Sequence, residues 1–178
     1  AHVGLYLHRD RRATEDDLPS HAGNRLNRAG IPRVHGLAEG HPEAGLWPQD
    51  ARARARARAV SCEMVSGFHN LRQEMPMNLR GRAKAFVSSE QVRGELVRIF
   101  QLWEEALHRS GGPFLFGAFS VADCMYMPVL SRLRTYGVET PTGMQPYVEA
   151  MWGQPSVSRW ATLAQDEPAI PMYDEALG

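Results

Sequence analysis

Between residues 49 and 165, apolar side chains recur every three or four positions and never alternate with polar ones at the two-residue period of a strand. That property commits the region to packed helices. Asp50 offers an N-cap to the Ala/Arg run that follows. Val60, Met64, Phe68, Leu71 and Met75 then fall at +4, +8, +11 and +15, one face of a helix that Pro76 ends or kinks. A second helix is expected to open at Ser88-Ser89-Glu90-Gln91, where Ser88 and Gln91 have capping-box spacing. Its stripe is Val92, Leu96, Ile99, Trp103 and Leu107, and Gly111-Gly112-Pro113 stops it. A third helix runs from Ser120 to about Tyr136, closed by Gly137, with Pro128 inside it. Shorter helices are expected at about 144–152 and 156–165, and residues 166–178, with Pro168 and Pro171, read as an extended tail. The expected fold is all-α, a bundle of about five helices.

Composition removes several function classes. Twenty basic and 20 acidic residues balance, and residues 37–178 hold 16 acids against 14 bases, so a dedicated nucleic-acid module is disfavoured. No apolar stretch reaches the roughly 20 residues of a membrane span, and no leader pattern opens the chain. Two cysteines, Cys62 and Cys124, are too few for a disulfide framework, which points to a cytoplasmic protein with both thiols inert in the core. The first methionine is Met64, so the chain reads as a truncated piece of a longer one.

Residues 1–36 differ from the rest. They hold four of the seven histidines, at spacings of 6, 13 and 14, unlike the compact pairs that ligate a metal, and no metal is expected. The segment keeps no helical or strand period and reads as irregular or artefactual. Arg52, Arg54, Arg56 and Arg58 alternate with alanines; on a strand they would form a phosphate-binding stripe, but on a helix they fall at about 0°, 200°, 40° and 240°. Ala and Arg both favour helix, so a solvated helical turn is the expectation.

The most informative local motif is Phe119-Ser120-Val121-Ala122-Asp123. Ser120 at the N-cap and Asp123 three residues on satisfy each other's amides at a helix start flanked by Phe114, Leu115 and Phe116 on one side and Met125, Tyr126 and Met127 on the other. Unpaired buried donors there would cost about 1–3 kcal/mol each. The role of Ser120 and Asp123 is therefore structural.

Taken in order, three stretches resemble the C-terminal helical domain of bacterial glutathione transferases. Residues 37–49, Leu37 to Trp47-Pro48, look like the end of that family's N-terminal domain and its linker. Arg54-Ala55-Arg56-Ala57, Glu63-Met64 and Ser66-Gly67-Phe68 are similar to its long fourth helix, and Gly117-Ala118-Phe119-Ser120-Val121-Ala122-Asp123 to its capping box. The resemblance covers roughly residues 37–165. It departs at the start: members carry a thioredoxin-like domain of about 80 residues that binds glutathione, with a Val-Pro and an acidic-Ser pair, and residues 1–36 match neither.

What the resemblance implies follows from the chemistry. A thiol with a pKa near about 8.5 is mostly protonated at neutral pH, so glutathione, the co-substrate, needs an activating group, and the small electrophilic substrate needs an apolar wall. The helical domain, residues 50–165, is expected to supply that wall from Met64, Phe68, Arg72, Met75 and Met125, with Tyr126 beside them. Arg72 has a surface salt bridge as its competing role, and the others have the core. The implied activity is conjugation of glutathione, with homodimerisation through the two long helices and no activity for this chain alone. Isomerisation of the maleylacetoacetate type and a non-catalytic helical association domain are the alternatives.

Overall fold

The computed structural model describes residues 36–168 and 170–178; the expectations for the histidine- and arginine-rich opening segment fall outside them, residue 36 apart. Every regular element among the described residues is helical. A helical stretch at 36–40 and a 3-10 turn at Pro42–Ala44 lead into α1, Ala51–Ser66. Then follow α2, His69–Glu74; α3, Glu90–Ser110; α4, Val121–Tyr136; α5, Gln145–Gly153; α6, Pro155–Leu163; and α7, Pro171–Glu175.

Local chemistry sets most of the boundaries. Asp50 caps α1, its carboxylate accepting from the Ala53 amide at 2.7 Å. Ser89, not Ser88, caps α3: its hydroxyl accepts from the Val92 amide at 3.1 Å and donates to Glu74 at 2.7 Å, which ties the end of α2 to the start of α3. The pair Ser88 and Gln91 had the right spacing but lies one residue too early. Gly111 and Gly137 end α3 and α4 in the left-handed region, at φ 79° and 65°, their amides returning to Leu107 and Leu133.

Two expectations change. The stripe from Val60 to Met75 does not lie on one helix. The chain breaks after Ser66, and Phe68 adopts φ 57°, ψ 45°, a conformation rarely held by a residue with a side chain. Met64, Phe68, Leu71 and Met75 still reach the same core, because the break re-aims the second half of the stripe rather than discarding it. The chain end is not an extended tail either. Residues 171–175 form α7, Pro171 opening it at a position where no amide is missed. The chain end folds back: the Asn78 side chain donates to Asp174 at 2.7 Å, and the Lys84 amide to the Leu177 carbonyl at 3.1 Å.

α4 is the central post. It packs on α1 and on α5, while α2 packs on α3 and α5 on α6. Trp103 of α3 stands edge-on to Tyr126 of α4 and to Tyr147 of α5, with ring centroids 5.7 and 5.3 Å away. All three are buried, and each such side chain contributes roughly 1.5–3 kcal/mol by leaving water. No helix among the described residues is long and apolar enough to cross a membrane.

Candidate functional site

Two features shape the face on which chemistry was expected: the capped start of α4 and the break between α1 and α2. At the first, the capping box is present, with Ser120 as N-cap and Asp123 at the third helical position. Asp123 is fully buried and accepts from three donors: the Leu115 amide at 3.0 Å, the Ser120 amide at 2.8 Å and the Ser120 hydroxyl at 2.9 Å. Burial pushes its pKa up, although all these bonds favour the charged form. The bond to Leu115 fastens the preceding loop to the helix, a partner eight residues away that helix-capping rules do not contain. The Val121 amide donates to the Leu46 carbonyl at 3.0 Å, so the linker is pinned to the same helix start.

At the second feature, two charged side chains close the two new helix ends. Arg72 donates to the Met64 and Gly67 carbonyls and reaches Val65 and Phe68 at 3.4 and 3.5 Å, covering the bare carbonyls at the end of α1. Glu95 of α3 accepts from the Leu71 amide at 2.7 Å and the Asn70 amide at 3.2 Å, covering the bare amides at the start of α2. Burial lowers the Arg72 pKa and the nearby Glu95 charge opposes that shift. Arg72 thus spends its guanidinium on backbone carbonyls rather than on the surface salt bridge weighed as its competing role. Glu95 was missed because nothing in its local sequence marks a residue that caps a helix 24 positions upstream.

The remaining expected wall residues separate by burial. Met64, Phe68 and Met75 are 4%, 6% and 0% exposed and belong to the core, as does Tyr126, whose hydroxyl donates to the Val60 carbonyl at 3.1 Å. Met125 is half-buried at the edge of that core. Met64, Phe68, Met75 and Tyr126 thus all contribute to the core, and helical spacing marks such a buried face without saying what buries it. Val65 is half-buried and His69 exposed. None of these side chains lines either of two surface grooves. The first, about 300 Å³, lies between α1 and α3, bounded by Ala53, Arg56, Val60, Arg98, Leu102 and Phe116. Arg98 and Glu63 bridge it at 2.7 Å. The second, about 510 Å³, lies beside the outer face of α3, against Phe100, Leu107, His108 and Met144.

Cys124 is half-buried, and burial pushes its thiol up to about 12. Cys62, expected in the core, is exposed, because the buried face of α1 runs through Ala57, Ser61 and Met64 instead. Burial also holds the Tyr126 and Tyr147 hydroxyls in the neutral form. Among the described residues no cluster of His, Cys, Asp or Glu could hold a metal ion.

Comparison with known proteins places this geometry. A curated relative, "Probable maleylacetoacetate isomerase 2" of Drosophila melanogaster, is 30% identical over 115 residues, which is 64% of this chain and 48% of the relative. The chain thus spans about half the length of the curated relative it matches. Residues 49–161, from the residue before the α1 cap to the last turns of α6, match the family described as "Glutathione S-transferase, C-terminal domain". The match covers most of the chain and contains both the capping box and the α1–α2 break: the chain belongs to the glutathione transferase family, as its C-terminal helical domain.

Proposed function

We propose that this chain is the helical half of an enzyme that joins the glutathione thiol to small electrophiles, the helical domain offering an apolar wall and a dimer face while a thioredoxin-like domain holds the tripeptide. The observation that carries this reading is the family match over residues 49–161. A division of labour follows from the chemistry. Thiol activation needs a donor or a positive helix end at the sulfur. The buried hydroxyls and the Cys124 thiol described above have pKa values raised by burial, the wrong direction for that task. The helical domain is left with the second task, holding the electrophile in line.

Within that wall Met125 is the contact residue, since it alone of the apolar candidates stays half-buried. Met64, Phe68 and Met75 stand behind it and give the wall its shape, and Arg72 keeps the α1–α2 break closed. The dimer face is the groove between α1 and α3, where the Glu63–Arg98 and Glu105–Arg109 pairs lie. By itself the helical domain has no transferase activity. Passage over immobilised glutathione tests the division: the chain is expected to flow through, and specific retention would overturn it.

A second reading is glutathione-dependent isomerisation of the maleylacetoacetate type, favoured by the name of the Drosophila relative. The two differ in stoichiometry. Conjugation consumes one glutathione per turnover, whereas isomerisation returns it, so assay of the complete protein for glutathione loss separates them.

A further inference from the structure

The connection between α2 and α3, residues 75–89, is fastened in two places by different means. Toward α4 the partners are buried side chains and backbone. The Thr135 hydroxyl donates to the Asn78 carbonyl, the Ala83 amide to the Thr135 carbonyl at 2.9 Å, and the Tyr136 hydroxyl to the Pro76 carbonyl at 3.1 Å. The second fastening is the chain end. Asn78 donates to the Tyr173 carbonyl at 3.3 Å and to Asp174 at 2.7 Å, Arg80 to the Glu167 carbonyl at 2.8 Å, and the Lys84 amide to the Leu177 carbonyl at 3.1 Å. Yet α7, which lies among those contacts, buries none of its residues. A segment held by a few hydrogen bonds, with little apolar surface withdrawn from water, is cheap to release.

The connection is shaped to receive this segment. The Asn78 side-chain oxygen accepts from the Arg80 and Gly81 amides at 3.1 and 2.9 Å, which folds the loop, while its nitrogen holds Asp174. At Gly81 a Cβ would stand 2.0 Å from Leu177 Cδ1, so any side chain there would compete with Leu177 for the same space. Charge is matched as well. Residues 77–84 hold Arg80, Arg82 and Lys84 and no acid, whereas residues 170–178 hold Asp174 and Glu175 and no base. All five side chains are exposed, and among the described residues no ion pair joins the two sets. Their attraction therefore acts through solvent, where salt screens it.

We propose that residues 170–178 form a latch on this connection, which opens while the helical bundle stays folded and opens further as salt rises. Open, it frees the Asn78 carboxamide and leaves Arg80, Arg82 and Lys84 as an unmasked basic loop. The ties to α4 survive opening, because none of them involves the chain end. The latch does not rest on the glutathione reading above.

Residue-resolved amide exchange of the full chain tests it, with Lys84 reporting the latch and Ala83 the tie to α4. After correction for intrinsic rates, Lys84 is expected to exchange about tenfold or more faster than Ala83. Raising salt from about 0.05 to about 0.5 M should speed Lys84 several-fold relative to Ala83. Asp174→Ala should speed Lys84 about tenfold and leave Ala83 unchanged, and trypsin should cut that variant faster after Arg80 or Arg82. Equal protection of Lys84 and Ala83 would overturn the proposal. So would a Lys84 rate unmoved by salt or by Asp174→Ala, or an effect of Asp174→Ala that spreads to Ala83.

Discussion

α1 and α4 are each 16 residues long and pack against one another, yet α1 buries three of its residues and α4 thirteen. The difference decides how each treats polar groups. Along α1, Arg52 and Arg56 simply face water, and the contact with α4 runs along Ala57, Ser61 and Met64, two small residues and one flexible one that let the helices approach. Along α4 every buried polar side chain has an internal partner. Asp123 holds the Leu115 loop; Ser131 donates to the Pro128 carbonyl; Arg132 and Tyr136 hold the connection after α2; and Thr135 donates to the Asn78 carbonyl. A helix at the centre of a bundle can carry polar groups only by using them to position its neighbours. A helix at the edge carries them without consequence.

The sharpest break in that contrast is Asp123→Ala, which leaves the Leu115 and Ser120 amides buried and unpaired. A loss of about 3–5 kcal/mol in urea unfolding is expected; a loss under about 1 kcal/mol would mean that water takes over the site. Next comes Leu130→Ala on α4, 2% exposed, expected to cost about 2–4 kcal/mol by thermal denaturation, whether or not it touches any functional surface.

pH gives a gentler probe of the same carboxyl. Burial raises the Asp123 pKa in the folded chain above its ordinary value of 3.8. Its contribution is therefore fully present below that value and is lost as pH rises through the folded pKa. Measured against Asp123→Asn, the unaltered chain should gain relative stability as pH falls toward 3.8, and a gap that is flat or widens with rising pH contradicts the assignment.

On α1 the effects are smaller. Asp50→Ala removes the cap on the Ala53 amide and should cost about 1 kcal/mol, read from the same unfolding curves. Arg56→Ala, at an exposed position with no bonded partner, should stay within about 0.5 kcal/mol. A larger loss would show that the groove between α1 and α3 is already filled in solution, and sedimentation at several concentrations would reveal it.

Much of the fold was legible because its signals are local. The apolar spacing of Val92, Leu96, Ile99 and Trp103, the Ser120–Asp123 pair and the closing glycines each act within four residues of one another. The break at Phe68 was not legible, since its stripe continues without interruption across it; what holds the break is Glu95, brought in by α3. Met64, Phe68 and Met75 share one core as their spacing implies, and that spacing by itself does not say whether such a face also borders a pocket. Cys62 went the other way, exposed because the true contact face of α1 runs through small residues that apolar spacing does not mark.

The amino-acid order alone determined that this chain is helical, where α1 and α4 begin and where α3 and α4 end, and that the start of α4 would be buried and capped. Spacing and caps are properties of neighbouring residues, and no distant partner is needed to state them. Tertiary structure decided which helix stands at the centre, that the long first stripe is cut in two, and that the chain end returns to cover the loop after α2. Each of those depends on groups far apart in sequence — Glu95 with Leu71, Arg132 with Met75, Asp174 with Asn78 — whose meeting no local pattern encodes.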